Sequence, residues 1–290
     1  MLIFDDTTFG IQECKLDLSG LYTTINERLA FDTRFDDFIK SDSANQQIFT
    51  LQGDILTYYS EVFISDRVDN RPPLLLLLGN PASHSVAAGM CFAFEKGGKE
   101  HRFWRILEKT GILTFLKQPS ISTDPVEMNE IKRNSLLELK YLSPFRIGIA
   151  VFYSLPSSAS DPRWSGISGV KKLLGAKAFD RISLQEEKRI GMLISKFMGP
   201  TGGIISFQKD AYNRVRSLDT PAYSLDLAMQ GLLRGTHKSG QQLFLAGSPP
   251  TRRMQTTRGK SALLQCKIWL SQQLTIHTGS PCMPHQEQLN

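Results

Sequence analysis

LLLLLGNPASHSVAAGMCFAFEKGGKEHRFWRILEKTG runs from Leu74 to Gly111 and decides how the chain is read. It opens on five consecutive leucines. Such a run is too short to cross a bilayer and suits a strand buried on both faces. It stops at Gly79-Asn80-Pro81, the start of a loop of small residues. An amphipathic helix follows, with Phe103, Trp104, Ile106 and Leu107 on one broad face. In an open α/β sheet, ligands bind at the carboxyl ends of the strands. Asn80 therefore stands where chemistry is expected.

Outward from this stretch, the pattern repeats. Pro72-Pro73 stiffens the approach to the leucine strand. Arg146 to Phe152, Gly203 to Phe207 and Gln242 to Ala246 read as a second, third and fourth strand. The second ends at Tyr153-Ser154-Leu155-Pro156 and a turn-rich loop through Trp164. Gln118 to Met128 is rich in Pro, Ser and Thr and reads as loop, and Ile131 to Lys140 as a short helix. Ser183 to Met198 has helical periodicity, with Ser183 and Glu186 in the spacing of a capping box. Lys209 opens another helix, and Ser261 to Leu274 is the last, apolar at Leu263, Leu264, Cys266, Ile268 and Leu270. Strands and helices alternate four times, which predicts an α/β protein with a doubly wound, mainly parallel sheet.

Residues 1–60 read as an N-terminal extension packed on the core, with helical character and no motif. Helix and strand readings compete in Asp54 to Asp66. Residues 61–276 read as the α/β domain and 277–290 as a mobile tail rich in Pro, Gln and His.

The 290 residues are 41% hydrophobic, enough for a sizeable core. A net charge of +6 permits a polyanionic partner and is equally compatible with none. The four cysteines, Cys14, Cys91, Cys266 and Cys282, form no Cys-x-x-Cys pair and no zinc spacing. Reduced thiols in a cytoplasmic protein are the expectation, with no metal and no cofactor. The N-terminus lacks a basic segment and an apolar core of the signal-peptide kind, and no apolar stretch is long enough to span a membrane.

Four elements recur in order: Gly79-Asn80-Pro81, Gly89-x-x-Phe92-Ala93, Arg102-Phe103-Trp104 and Thr110-Gly111. Together they resemble the uracil-DNA glycosylase superfamily, its mismatch-specific branch in particular. Two later pieces extend the resemblance to roughly Leu74–Leu274. Phe207-Gln208-Lys209-Asp210-Ala211-Tyr212 is similar to the family's strand followed by Gly-Lys-x-Ala-Tyr. Gly247-Ser248-Pro249-Pro250-Thr251-Arg252-Arg253 lies where the family has its second active-site loop. The resemblance implies a three-layer α/β/α architecture with a central four-stranded, mainly parallel sheet. It implies DNA as partner; a DNA-handling cleft is usually self-contained, so a monomer is expected, and the cytoplasmic location expected from the cysteines would be nucleoid-associated in a bacterium. Some branches hold an iron–sulfur cluster on four cysteines, but the intervals here do not fit one.

A glycosylase must take its base out of the stack, hold it against a π surface, bond its edge and position a water. Negative charge grows on the leaving base and must be stabilised. The resemblance assigns the water to Asn80, flanked by Gly79 and Pro81. A carboxamide accepts a hydrogen bond from water but cannot remove its proton as a carboxylate would. It assigns base stacking to Phe92, with Phe94 as a neighbour that could substitute. The plain alternatives are an Asn satisfying loop backbone and one ordinary core Phe among 17. Where some branches place an Asn for the base edge, this chain has Tyr153 and Ser154. Either hydroxyl can bond a base, but neither offers an amide's paired donor and acceptor. Well-studied branches place a His before the Pro-Ser of the second loop, where Gly247 and Ser248 stand here. Ser248 and the loop backbone are then the remaining donors.

Arg252, Arg253, Arg258 and Lys260 fall within ten residues after the fourth strand. They suit phosphate contacts or a wedge at a flipped base, or else a solvated loop. His84-Ser85 invites a Ser–His nucleophile, but no Gly-x-Ser-x-Gly elbow is present and adjacent loop residues rarely face each other. Lys96-Gly97-Gly98-Lys99 lacks the ending of a P-loop. Two functions follow. One is a DNA glycosylase acting on uracil or a related damaged base. The other is a catalytically inactive relative that binds nucleic acid or a nucleobase.

Overall fold

The computed structural model describes residues 2–8, 10–95, 97–116 and 124–278. The chain starts with a hairpin, β1 (Leu2–Thr8) and β2 (Ile11–Asp17). Helix α1 (Ile25–Lys40) follows; the Thr24 side chain caps it by accepting the Glu27 N–H, and Phe31, Phe35 and Phe38 form its buried stripe. Asp42 caps α2 (Ser43–Ile48). A second hairpin joins β3 (Phe49–Gln52) to β4 (Ile55–Phe63). The leucine run is β5 (Pro73–Leu78), followed by α3 (Ser83–Ala87) and α4 (Arg102–Lys109). Then come β6 (Thr114–Phe115), α5 (Pro125–Leu137), β7 (Tyr141–Leu142) and β8 (Arg146–Val151). Helices α6 (Gly166–Leu174) and α7 (Ala176–Met198) lead to β9 (Gly202–Ser206). The chain continues through α8 (Lys209–Val215), α9 (Leu225–Gln230), β10 (Arg234–His237) and β11 (Gly240–Gly247) to α10 (Thr257–Thr278).

The main sheet is mixed, in the order β1-β2-β4-β8-β5-β9-β11-β10, with β3 beside β4. Its centre, β8-β5-β9-β11, is parallel throughout. The four strands foreseen from the sequence are this parallel centre. Among the described residues the sheet has nine strands, because antiparallel β1–β4 extend it on one side and β10 on the other. Residues 2–63 therefore hold strands as well as α1 and α2. The strand β4 resolves the ambiguity of ILTYYSEVF: its first six residues alternate exposed or half-buried with buried.

The leucine run has a layered explanation. Leu75 and Leu77 join a core with Phe152, Ile204 and Leu245 that packs on α6 and α7 through Val170, Leu173, Ile190 and Ile194. Leu74, Leu76 and Leu78 face the other way, with Ile149, Ile205 and Ala246, against Phe103, Trp104, Ile106 and Leu107 of α4 and Leu263 and Leu270 of α10. Successive side chains on a strand point to opposite faces, so a strand covered by helices on both sides must be apolar at every position. Each fully buried leucine contributes about 1.5–3 kcal/mol.

One local reading is corrected. Ser183 and Glu186 are not a capping box, because α7 begins seven residues earlier, after Gly175 at φ +85°. Both are buried inside the helix, where Ser183 Oγ donates to Phe179 O (2.8 Å). Similarly, α10 starts at Thr257 rather than Ser261. Most of the loop read at Gln118 to Met128, the tail from 279 onward and Cys282 lie outside the described residues. Among the described residues, no helix is long and apolar enough to cross a membrane.

Candidate functional site

The segments after β5, β8, β9 and β11 meet at one rim of the sheet. Strand register carries on into hydrogen bonds between the loops. Tyr153 N donates to Gly79 O (2.9 Å), Phe207 N to Leu77 O (2.9 Å) and Ser248 N to Ser206 O (2.9 Å). Ser157 N donates to Pro81 O (3.0 Å) and Ser83 N to Ser157 O (3.0 Å). Gly79 is packed against the neighbouring segment: a Cβ there would lie 3.0 Å from Gln208 Cγ. At the start of α4, Arg102 Nη1 donates to Gln255 Oε1 (2.5 Å), tying the first loop to the last.

Asn80 is half-buried, two residues beyond the end of β5. Its Nδ2 donates to Pro81 O (3.1 Å). That bond fixes the carboxamide and leaves Oδ1 as an acceptor without a partner among the described residues. Further along the same segment, Phe92 has φ +49°, in the left-handed region that side chains other than glycine rarely enter. Such a conformation costs about 1–3 kcal/mol and persists only when its surroundings enforce it. Here Trp104 Nε1 donates to Phe92 O (3.0 Å), and the half-buried Phe92 ring stacks on Phe103 at 4.2 Å between centroids. Phe103 meets Phe207 edge-on at 5.7 Å, joining the segments after β5 and β9. Phe94 instead approaches His84, at 6.3 Å.

The other residues singled out at the rim point inward. Ser154 is fully buried, and its Oγ and N both donate to Glu186 Oε1 (2.5 and 2.6 Å). Tyr58 OH lies 2.7 Å from the same hydroxyl. Arg189 completes this set, donating from Nε to Glu186 Oε2 (2.6 Å) and from Nη2 to Val151 O (2.6 Å). Tyr153 OH bonds Asp210, and burial, aided by that carboxylate, pushes the phenol up to about 12. Ser248 is fully buried and its Oγ donates to Pro249 O (3.1 Å). For any of these hydroxyls to meet a base, an internal bond must be exchanged. A Cβ on Gly247 would sit 2.2 Å from Leu233 Cδ2, so a larger residue there requires Leu233 to shift.

Arg252, Arg253 and Arg258 are exposed and Lys260 is half-buried, and none of the four forms an ion pair among the described residues. Arg258 also lines an open depression of about 620 Å³ between α9 and α10, with Met229, Leu232, Ser261 and Gln265. Asn80, Phe92 and Ser248 do not line it.

His84 and Ser85 do meet, with Ser85 Oγ 3.3 Å from His84 Nε2. The serine is buried, and Asp42, the carboxylate whose charge reaches His84, is engaged by Ala44 N and Ser158 Oγ (3.0 Å each). This is not a catalytic triad. The sequence reading passed over His101, directly before Arg102-Phe103-Trp104. Its Nδ1 accepts the Phe103 N–H (3.2 Å) as the cap of α4, and its ring lies 4.8 Å from Phe92. A polar residue immediately before a helix was the available signal. Cys14, Cys91 and Cys266 are buried, with the Cys91 thiol pushed well above its ordinary range by burial. Among the described residues, no three His, Cys, Asp or Glu side chains are grouped to hold a metal.

No model of a known protein family matches the chain. No curated protein matches it either.

Proposed function

We propose that the chain hydrolyses the N-glycosidic bond of uracil or a related damaged base in DNA. The observation that carries this reading is the combination, in one segment after β5, of a tethered carboxamide and a constrained aromatic ring. Asn80 is held through Nδ2 with Oδ1 left to accept from a water. Phe92 is held at φ +49° on a stack of aromatics. A constrained residue in the segment that follows a central strand supports a site there. The parallel order β8-β5-β9-β11, with apolar cores on both faces, supports the three-layer architecture of the uracil-DNA glycosylase superfamily.

In this reading the extruded base stacks on Phe92, between Gly79-Asn80-Pro81 and the loop at Ser248. The C1′–N bond breaks with both electrons going to the base. Water held by Asn80 adds its hydroxyl to C1′, and the remaining proton ends on the base. Asn80 orients the water and takes no proton, so chemistry is slow relative to a site with a carboxylate. Arg252, Arg253, Arg258 and Lys260 engage phosphates, and the protein acts as a monomer.

One observation favours a second reading, a non-catalytic binder of nucleic acid or a nucleobase. The hydroxyls of Tyr153, Ser154 and Ser248 are all committed to partners inside the protein. Base release decides between the two. Oligonucleotides carrying uracil, a thymine mismatch, hypoxanthine or xanthine are incubated with wild type and Asn80→Ala. Release of one base that disappears in Asn80→Ala supports the glycosylase. Retained oligonucleotide binding with no release of any base supports the binder.

A further inference from the structure

We propose that the depression between α9 and α10 receives a short acidic, amphipathic helix of another protein. The inference goes beyond base excision and does not depend on it. Its first support is charge. Residues 227–278 contain seven Lys and Arg and no Asp or Glu, so this stretch carries more than the whole net charge of +6. Arg258 lines the depression from α10. Arg234 stands beside it, donating from Nε to Gly231 O (2.8 Å) and from Nη2 to Gln265 O (3.4 Å). Neither guanidinium forms an ion pair among the described residues. Arg258 and Gln265 are two turns apart on α10, about 10 Å along its axis.

The second support is an uncovered apolar floor. Met229, Leu232 and Ala262 line the depression, and Leu232 is 53% exposed. The outer face of α10 continues it with Leu264 and Ile268, an exposed pair at i and i+4. An amphipathic helix lays its apolar face into such a groove through residues at i, i+3, i+4 and i+7. Carboxylates on its flanks then meet Arg258 and Arg234. A nucleic-acid backbone offers no apolar surface to Met229 and Leu232, and Arg252, Arg253 and Lys260 do not line the depression. A second copy presenting this same face would set cations against cations. What remains complementary is an acidic segment of a partner protein. Arg258 is the one cation that this segment and the DNA of the base-excision reading would share.

The probe is a fluorescein-labelled peptide of about 15 residues, with leucine at i, i+3, i+4 and i+7 and glutamate at most other positions. One twin carries lysine for every glutamate, another serine for every leucine, and an oligothymidylate of matched charge is the polyanion control. The full chain is compared by fluorescence anisotropy as wild type, Leu232→Ser, Arg258→Glu and, as a control on α7, Leu184→Ser. All three positions are exposed, so melting temperatures are expected to hold. Wild type and Leu184→Ser are expected to bind the acidic probe and neither twin. Leu232→Ser and Arg258→Glu are each expected to weaken that binding about tenfold. No saturable binding of the acidic probe by wild type overturns the proposal, as does binding that Leu232→Ser leaves unchanged. Oligothymidylate bound in place of the peptide, and weakened by Leu232→Ser, overturns it in favour of a nucleic-acid surface. A wild-type dimer in sedimentation that Leu232→Ser dissolves overturns it in favour of a contact between copies.

Discussion

Glu186, in the middle of α7, accepts both the backbone N–H and the hydroxyl of Ser154 on a single oxygen, Oε1, at 2.6 and 2.5 Å. Its other oxygen takes the Arg189 guanidinium at 2.6 Å. Glu186 is fully buried and Arg189 nearly so. A helix thus caps the end of β8 with a charge that has no access to water. Removing one member of a buried pair strands the other, at a cost of about 3–5 kcal/mol. Arg189→Met is therefore expected to destabilise the protein by that order in urea unfolding. Ser154→Ala removes one neutral donor and should cost nearer 1–2 kcal/mol, as an order of magnitude. Equal, small losses in both variants would show that the charge is not desolvated.

A second buried carboxylate gives a pH dependence. Glu61 on β4 is buried and its Oε1 has no hydrogen-bond partner among the described residues. Burial raises its pKa from 4.5 to about 8. In the folded state it keeps its proton where the unfolded chain has already lost it. Its contribution to stability is complete below pH 4.5 and is lost as pH rises through about 8. Unfolding free energy is expected to fall between pH 5 and 8.5, and Glu61→Gln to flatten that fall. An unchanged slope in Glu61→Gln would assign it to other groups.

The parallel centre of the fold was legible in the sequence because it obeys one rule throughout. LLLLL, RIGIAV, GGIIS and the core of β11 are apolar at consecutive positions, which only doubly covered strands require. The flanking strands were hidden for the opposite reason. IQECKLD on β2 places polar and charged residues among apolar ones, as an outer strand does, and lies beside an amphipathic α1 that dominates the segment. The same conflict misplaced the start of α7. Ser183 and Glu186 have the spacing of a cap, and only their partners in the segment after β8, Tyr153 and Ser154, show them to be interior. Within the site, Asn80 and Phe92 could be named from their loop, but the commitments of Tyr153 and Ser154 depend on residues 57 and 32 positions away, while Ser248 is closed off by burial and a bond to the adjacent Pro249 O.

The backbone at Phe92 can be tested without any activity. Its φ of +49° is available to glycine at no steric cost. Alanine and glycine remove the same ring, apart from one methyl, but only alanine keeps the conformational penalty. Phe92→Gly is expected to be more stable than Phe92→Ala by about 1 kcal/mol, against the usual order for these residues. Thermal unfolding of the two variants reads this directly. The usual order, alanine above glycine, would mean that Phe92 adopts an ordinary conformation in solution.

The chemistry assigned to Asn80 makes the last expectation the most demanding. Its carboxamide can hold a water but cannot accept the water's proton. Asn80→Asp places a carboxylate at the same point and adds a general base, an effect of about 10²–10⁴-fold in comparable reactions. Base release by Asn80→Asp is expected to exceed wild type by at least the lower figure at pH 8, and to decline as the new carboxylate protonates in acid. Asn80→Ala should release none. The contrast matters because the two replacements perturb the Asn80–Pro81 tether alike, since neither retains the Nδ2 donor. Activity lost equally in both would place the importance of Asn80 in holding the loop, with the water positioned by another group.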